Sequence, residues 1–542
     1  MSLWHILNIK KNKKKISPYI SATEFENFIC NDPLCDWLSI VLPKKDEPHP
    51  FQSLFNKGIH HEAIIIDKLR KKNNLELVKM SSLNTSREYD DYHQEIDFKR
   101  TEDAMKRGDS FLYSPFIVSE KNDLRGIPDI LVRSDYIKKY FDIDVAQEES
   151  IFGSYYYIPI EIKYSSLHFD KTNQTLLNIN RTKIYKTQLY VYSKILADIQ
   201  GTMPCCSFII GKNPNIGHVY FDKDISQLFY KGLEWLQDLR KNIYKWNDND
   251  LIPRLLPNMK NNNPLYTKEK KMIADYFGEI TEFWQCSIKH RYNLLDKTND
   301  KIYSWKDQNF DTNLLGVNKS YFEKIDLLFK INRDEIVPIY PKKIIHDLFE
   351  WRSPIMNNVQ SLDEMFVDFE TVGNVDEGEE STIYLIGVWY HKKYTYFLAD
   401  SISHESEKKL VYSFYQYWSN MGKPKIWYWY AEDNFWNKAC KKYNLSLPML
   451  WVDLYKVFYE GNVFIKGCKN FKLKSYIHAL KNLNLIKIDL PPEECCNGVD
   501  ALFLGSEYYE TRDHKILESI LAYNKFDCQS LDVLLNFIRK NM

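Results

Sequence analysis

The 542-residue sequence predicts an α/β multidomain protein, and three observations point there. Two stretches, roughly 20–240 and 361–542, alternate amphipathic helical runs with short β-branched and aromatic runs. The segment between them is helical in pattern and broken by Pro253, Pro257, Pro264, Pro338 and Pro341. Length adds the third: at about 100–200 residues per domain, two to four domains are expected. No repeat with a period of about 20–50 residues is present, which excludes a solenoid or propeller. The expected division is a first α/β domain over 1–240, a helical connector over 241–360 and a second α/β domain over 361–542.

Lys plus Arg and Asp plus Glu number 73 each, so the formal net charge is zero. That excludes a protein that holds nucleic acid by bulk positive charge; any such contact must come from local patches or bound cations. Heavy use of Lys, Asn, Ile and Tyr fits an A+T-rich coding sequence. The run Lys11 to Lys15 therefore reads as a solvated tail, with a localisation or phosphate-contacting patch as the alternative. Ten cysteines include no C-x-x-C and two adjacent pairs, Cys205–Cys206 and Cys495–Cys496, so reduced, buried thiols are expected. An apolar leader and any run of about 18 apolar residues are both lacking, which predicts an intracellular, cytoplasmic protein with no membrane partner. The sequence has no GxxxxGK[ST], so unwinding would need a separate helicase or ATPase. HHEAII (60–65) lacks the second His of H-E-x-x-H, which removes the zinc-protease reading.

In chain order, KGIHHEAIIIDKL (57–69) predicts an amphipathic helix, within about 54–72, carrying His60, His61 and Glu62. GIPDILVRSDY (126–136) places Asp129 after a tight turn at the start of a strand. YYYIPIEIKY (155–164) predicts a strand on which Glu161 and Lys163 share one face and Ile160, Ile162 and Tyr164 the other. Neighbouring carboxylates repel unless a cation lies between them, and a hard divalent ion such as Mg²⁺ or Mn²⁺ suits carboxylate and water ligands. A salt-bridged surface strand gives the same E-x-K spacing. KTQLYVYSKIL (186–196) predicts a helix, within 181–200, with Gln188 and Tyr192 on one face.

A helix Glu, then G-x-P-D, then E-x-K, then Q-x-x-x-Y resembles the RecB-type branch of the PD-(D/E)xK nucleases, over residues 50–215. The resemblance implies a restriction-endonuclease-like α/β core in which Asp129 and Glu161 bind metal and Lys163 is catalytic. It also implies that Glu62, with His60 or His61, completes the site and that Gln188 and Tyr192 contact DNA or brace the core.

MFVDFETVG (365–373) puts Asp368 and Glu370 on one face of an apolar strand, where a metal or a salt-bridge network could offset their repulsion. A hairpin, IYLIGVWY then YTYFLAD, follows. The strand IWYWY (426–430) then runs into a helix whose start carries Glu432 and Asp433. LWVDLYKVF holds Asp453 at a strand end, as a supporting acid or a turn cap. The helix ILAYNKFDCQSLDVLLNFI (520–538) stacks Tyr523 and Asp527 on one face.

This order resembles the DEDDy exonucleases of the ribonuclease-H-like superfamily. By that resemblance Asp368, Glu370 and Asp527 hold two Mg²⁺ or Mn²⁺ ions, and Tyr523 orients the attacking water. The second-motif acid departs from the usual Asp. Relatives with Glu there carry a His two residues earlier, where this chain has Tyr430; the alignment favours Glu432, with Asp433 as the alternative.

The whole arrangement resembles predicted RecB-like nucleases with a C-terminal ribonuclease-H-like domain, a family of microbes and large DNA viruses. It implies a metal-dependent DNA nuclease with a RecB-type centre and a 3′–5′ exonuclease centre, acting in repair, recombination or replication. Two alternatives are an RNA exonuclease and a non-catalytic nucleic-acid-binding scaffold.

Overall fold

The computed structural model describes residues 3–9, 16–42, 52–75, 77–83, 90–171, 175–179, 181–212, 216–243, 255–261, 263–344, 363–373, 381–491, 495 and 498–542. The run Lys11 to Lys15, Pro253, Cys496 and the end of the expected connector lie outside them. The chain divides into two compact units, Met1–Glu279 and Ile280–Met542.

The first unit is built on a five-stranded sheet of β1 (Phe111–Tyr113), β2 (Ile130–Arg133), β3 (Tyr157–Ile162), β4 (Ser207–Ile210) and β5 (Ile216–Val219), paired in that order. All pairs are antiparallel except β3 with β4, whose parallel pairing needs a crossover; helix α3 (Thr182–Gln200) supplies it. Every residue of β3 is buried, because helices cover both faces. Ile130, Ile158, Ile160 and Phe208 pack with Ile65 and Ile66 of α1 (Gln52–Asn73). Leu131, Tyr157 and Ile209 pack instead with Leu189 and Ile195 of α3. The face that carries Glu161 is therefore the one α3 covers.

Residues 255–279, within the expected connector, pack into this first unit. Leu255 and Ile273 join its core. Asp32 is fully buried, a state tolerated only with partners. The Lys270 ammonium, 2.6 Å away and itself buried, supplies one.

The second unit carries a sheet of β6 (Glu364–Val372), β7 (Thr382–Tyr390), β8 (Lys393–Leu398), β9 (Lys425–Tyr428) and β10 (Trp451–Asp453). Their order across the sheet is β8-β7-β6-β9-β10. The first three form an antiparallel meander, while β6, β9 and β10 run parallel. Met365, Val367 and Phe369 face one core with Val411 and Phe414 of α5 (His404–Asn420). Phe366 belongs to the opposite core, with Leu531 and Leu534 of the long C-terminal helix His514–Asn541. By the two-residue period Asp368 and Glu370 point the same way as Phe366, toward that helix. Residues 280–344 pack into the same core through Ile280, Phe283, Leu294 and Phe329, and Ile339–Tyr340 pairs with Phe464–Ile465.

The nine described cysteines are free thiols, and Cys205 departs from the expected burial: it is exposed. It follows Pro204 in the loop before β4, so only its neighbour Cys206 reaches the core. Among the described residues, no helix is long and apolar enough to cross a membrane.

Candidate functional site

In the first unit, antiparallel pairing sets Ile130 opposite Ile160, so Asp129, one residue before β2, lies across from Glu161. The Ile162 backbone N–H donates to Asp129 Oδ2 at 2.6 Å and fixes that carboxylate beside the strand. Lys163 Nζ donates to Glu161 Oε1 at 2.7 Å, and Gln188 Nε2 donates to the same oxygen at 2.8 Å. Gln188 also meets the Tyr192 hydroxyl at 2.8 Å, which donates to Ile127 O at 3.2 Å. Both α3 residues are buried, so they brace Glu161 and the turn before Asp129. Gly126 is required there: a Cβ would stand 2.4 Å from a Tyr192 ring carbon.

Glu62 reaches the group from α1 and accepts from the Tyr113 hydroxyl at 3.2 Å. His61 turns elsewhere, with Nε2 3.1 Å from Gly211 O and its ring against Tyr164, and His60 is exposed. One hundred degrees per residue around a helix explains why three consecutive side chains cannot all face one site, taking ~3.6 residues per turn. A cavity of about 240 Å³ adjoins Lys163 and is lined also by Thr23, Arg181, Tyr185 and Gln188.

In the second unit, Asp368 pairs across the ladder with Gly387 of β7, and the register slips immediately after Glu370. Gly387 leaves room for Asn524: a Cβ there would stand 1.5 Å from Asn524 Oδ1. From that slot Asn524 Nδ2 donates to Asp368 Oδ2 at 2.8 Å and to Glu370 Oε1 at 3.3 Å, while Oδ1 accepts from Tyr394 at 2.9 Å. One turn on, Asp527 faces the same cluster, with the Tyr523 hydroxyl donating toward it. Lys474, from α8 (Leu473–Asn482), sets its ammonium 3.7 Å above the Tyr523 ring and 3.9 Å from Asp527 Oδ2.

Strand β9 stops pairing with β6 at Trp427, and the chain turns into α6 (Glu432–Lys442). Glu432, the first residue of that helix, is buried and accepts from the Ala431 N–H at 3.2 Å. Asp433 is only half-buried and engages the Tyr428 hydroxyl. Asp453 caps α7 (Leu454–Glu460) through the Tyr455 N–H at 2.9 Å and also takes the Tyr430 N–H at 3.1 Å.

A family model described as RNase_H superfamily matches residues 365–538. The C-terminal part of this chain is a ribonuclease-H-like domain. Its match begins at β6 and ends within the last helix, so it takes in Asp368, Glu370, Glu432 and Asp527, and it points to a nuclease-type hydrolase acting on nucleic acid. No curated protein matches the chain.

In the ribonuclease-H-like domain burial raises all four acids, and neighbouring acids add to the rise of Asp368 and Glu370. Burial, then Glu370, Asp527 and Glu432, hold the Asp368 carboxyl well above the carboxylate range. Burial and Asp527 push Glu370 up to about 8. Burial also lifts Glu432 to about 8, outweighing the backbone N–H groups it accepts from, with Asp453 adding to the rise. Asp527 rises to about 6 by burial, held back by Lys474 and Tyr523. The first unit behaves alike: burial, then Glu161 and Glu62, raise Asp129, and burial raises Glu62. Burial works against the Lys163 ammonium, yet Glu161 and Asp129 outweigh it and raise its pKa.

As placed, no three His, Cys, Asp or Glu side chains among the described residues are close enough to ligate one ion. The donors nonetheless suit a hard divalent cation. They are carboxylate oxygens, and one buried oxygen at each site, Glu161 Oε2 and Asp527 Oδ1, has no hydrogen-bond partner.

The raised carboxyls make stability depend on pH. Their folded pKa values exceed the unfolded ones, so the folded chain binds more protons, and this stabilisation is lost as pH rises through about 6 to 8. Without divalent ions, Tm is expected to fall between pH 5 and pH 8.5. Mg²⁺ or Mn²⁺ should restore it at pH 8 and do little at pH 5, where protons compete for the same oxygens. Thermal melts of the full chain check this; an equal Mg²⁺ effect at both pH values would overturn it.

Proposed function

We propose that the chain is a divalent-metal-dependent DNA nuclease with two phosphodiester-cleaving centres, a RecB-type centre in the first unit and a 3′–5′ exonuclease centre in the second. The observation that supports this is that Asp368, inside a ribonuclease-H-like domain, feels the charge of three other buried acids, Glu370, Asp527 and Glu432, drawn with it from three separate stretches of sequence. A group of that kind is costly to assemble unless it binds cations.

At the second centre Asp368, Glu370, Glu432 and Asp527 would hold Mg²⁺ or Mn²⁺, which would supply polarisation of the phosphodiester and a lowered pKa for a bound water. Asn524 holds Asp368 and Glu370 in register. Tyr523, locked between Lys474 and Asp527, presents a hydroxyl that orients the water. Glu62, Asp129 and Glu161 would hold an ion at the first centre, where the Lys163 ammonium orients water or the scissile phosphate. Gln188 and Tyr192 position Glu161; neither the imidazole of His60 nor that of His61 is used. The roles proposed put the chain in DNA repair, recombination or replication, with unwinding supplied by a separate ATPase.

The test is digestion of end-labelled single-stranded DNA, duplex DNA and RNA with Mg²⁺ or with EDTA. Mg²⁺-dependent shortening of DNA from the 3′ end, abolished by EDTA, is expected. Cleavage of RNA alone would move the substrate assignment, and binding without cleavage would remove the enzymatic one.

A further inference from the structure

Adjacent Cys205 and Cys206 belong to neither carboxylate group, and none of the roles above uses them. Along an extended strand, neighbouring side chains point to opposite faces. Here the chain bends at Cys205, just before β4 begins at Ser207, and both thiols fall on one side. Their Sγ atoms stand 3.8 Å apart, in direct contact.

The two thiols differ in access. Cys206 is 3 % exposed and packs with Ile158 and Phe208, whereas Cys205 is open to solvent. Cys205 Sγ also lies 3.3 Å from the Tyr156 hydroxyl, which donates to Ala146 O at 2.7 Å. The Cys206 thiol, more than Tyr156, favours the Cys205 thiolate and outweighs burial and the Glu148 charge, so the Cys205 pKa falls below the usual thiol value. The same contact, with burial, pushes the Cys206 thiol up. An accessible thiolate with a second, protonated sulfur held against it is the arrangement in which a sulfenic acid forms and is then resolved. The other described cysteines are buried or half-buried.

We propose that Cys205 and Cys206 form a site of reversible oxidation by hydroperoxides, closing to a disulfide between neighbouring residues. With hydrogen peroxide, the Cys205 thiolate attacks one oxygen and the O–O bond breaks. Cys205 becomes a sulfenic acid, and the departing hydroxide takes up the proton the thiol gave to solvent, leaving as water. The Cys206 sulfur then attacks the Cys205 sulfur, the S–O bond breaks, and the second hydroxide leaves as water with the Cys206 proton. Two thiols thus give two electrons to one peroxide, which is reduced to two waters. Across one peptide bond Cα atoms stand about 3.8 Å apart, short of the ~4.4–6.8 Å that disulfides usually span. The closed pair is therefore strained and readily reopened by a thiol.

The test treats the full chain with hydrogen peroxide at pH 6, alkylates the remaining thiols in denaturant and weighs the tryptic peptide 195–212. Loss of both alkyl groups, with a peptide two mass units below the reduced one and recovery in dithiothreitol, is expected. Closure in the folded chain should run about tenfold faster than in urea, where the larger thiolate fraction is lost and is only partly offset by higher nucleophilicity. Cys206→Ser should stop at the Cys205 sulfenic acid, trapped by dimedone, and in Cys205→Ser the buried Cys206 should stay a thiol. Two alkylated cysteines in the treated wild type, or a Cys205 sulfinic acid beside a free Cys206, would overturn the site. So would equal rates in the folded and unfolded chain, since adjacency in sequence alone would then account for closure. None of these readings depends on nuclease activity.

Discussion

Asp368→Asn is expected to slow removal of nucleotides from a 3′ end by about 10³-fold, corresponding to about 4 kcal/mol of lost transition-state stabilisation. The substitution keeps shape and leaves an oxygen to accept from Asn524, so the local packing should survive. What it removes is an acid that burial and its neighbours already disfavour in the charged form, so the variant should melt no lower than wild type without divalent ions. Cleavage that belongs to the first unit should continue at its original rate. Time courses on end-labelled and on circular single-stranded DNA separate the two, since a circle has no end to shorten. Loss of all cleavage in this one variant would leave a single centre.

The second large effect is expected at Lys163. Lys163→Ala should lower cleavage of circular DNA by about 10²–10³-fold, the usual loss when one charge-stabilising donor is removed. Shortening from 3′ ends should persist. The change also leaves Glu161, a buried carboxylate, with Gln188 as its one remaining side-chain donor. Removing one partner of a fully buried pair costs about 3–5 kcal/mol. The Lys163 side chain is 24 % exposed, so water softens this, and a loss of about 2 kcal/mol is expected in urea denaturation. Lys163→Ala that cuts circles normally would remove the lysine from the first centre.

Much of this arrangement was legible because strand and helix periods are local. Two-residue spacing placed Glu161 with Lys163 and Asp368 with Glu370, and four-residue spacing placed Tyr523 with Asp527. Other features depend on what lies across the fold. Lys474 sits in FKLKSYI, where nothing nearby signals that it will cover Tyr523. Asn524 had a readable cue, since it lies one turn before Asp527, but its slot exists only because Gly387 faces it from another strand. The histidines are another such case: in sequence they stand beside Glu62, and the partner of His61, Gly211, comes from the far end of another strand. Asp453 left a strand-end cap and a supporting acid open, and in the structure it caps α7 while lying close enough to raise Glu432. The positive φ of Tyr430 has no sequence mark at all, because tyrosine there would ordinarily be read as plain strand.

The fit of Gly126 under the Tyr192 ring has a consequence for inheritance. The turn that presents Asp129 and the helix that steadies Glu161 interlock like key and ward, so neither segment can be exchanged for a foreign one by itself. A lineage that enlarged residue 126 would have to shrink residue 192 in step. Shrinking 192 alone would loosen the grip on Gln188 and, through it, on the acid that the lysine faces.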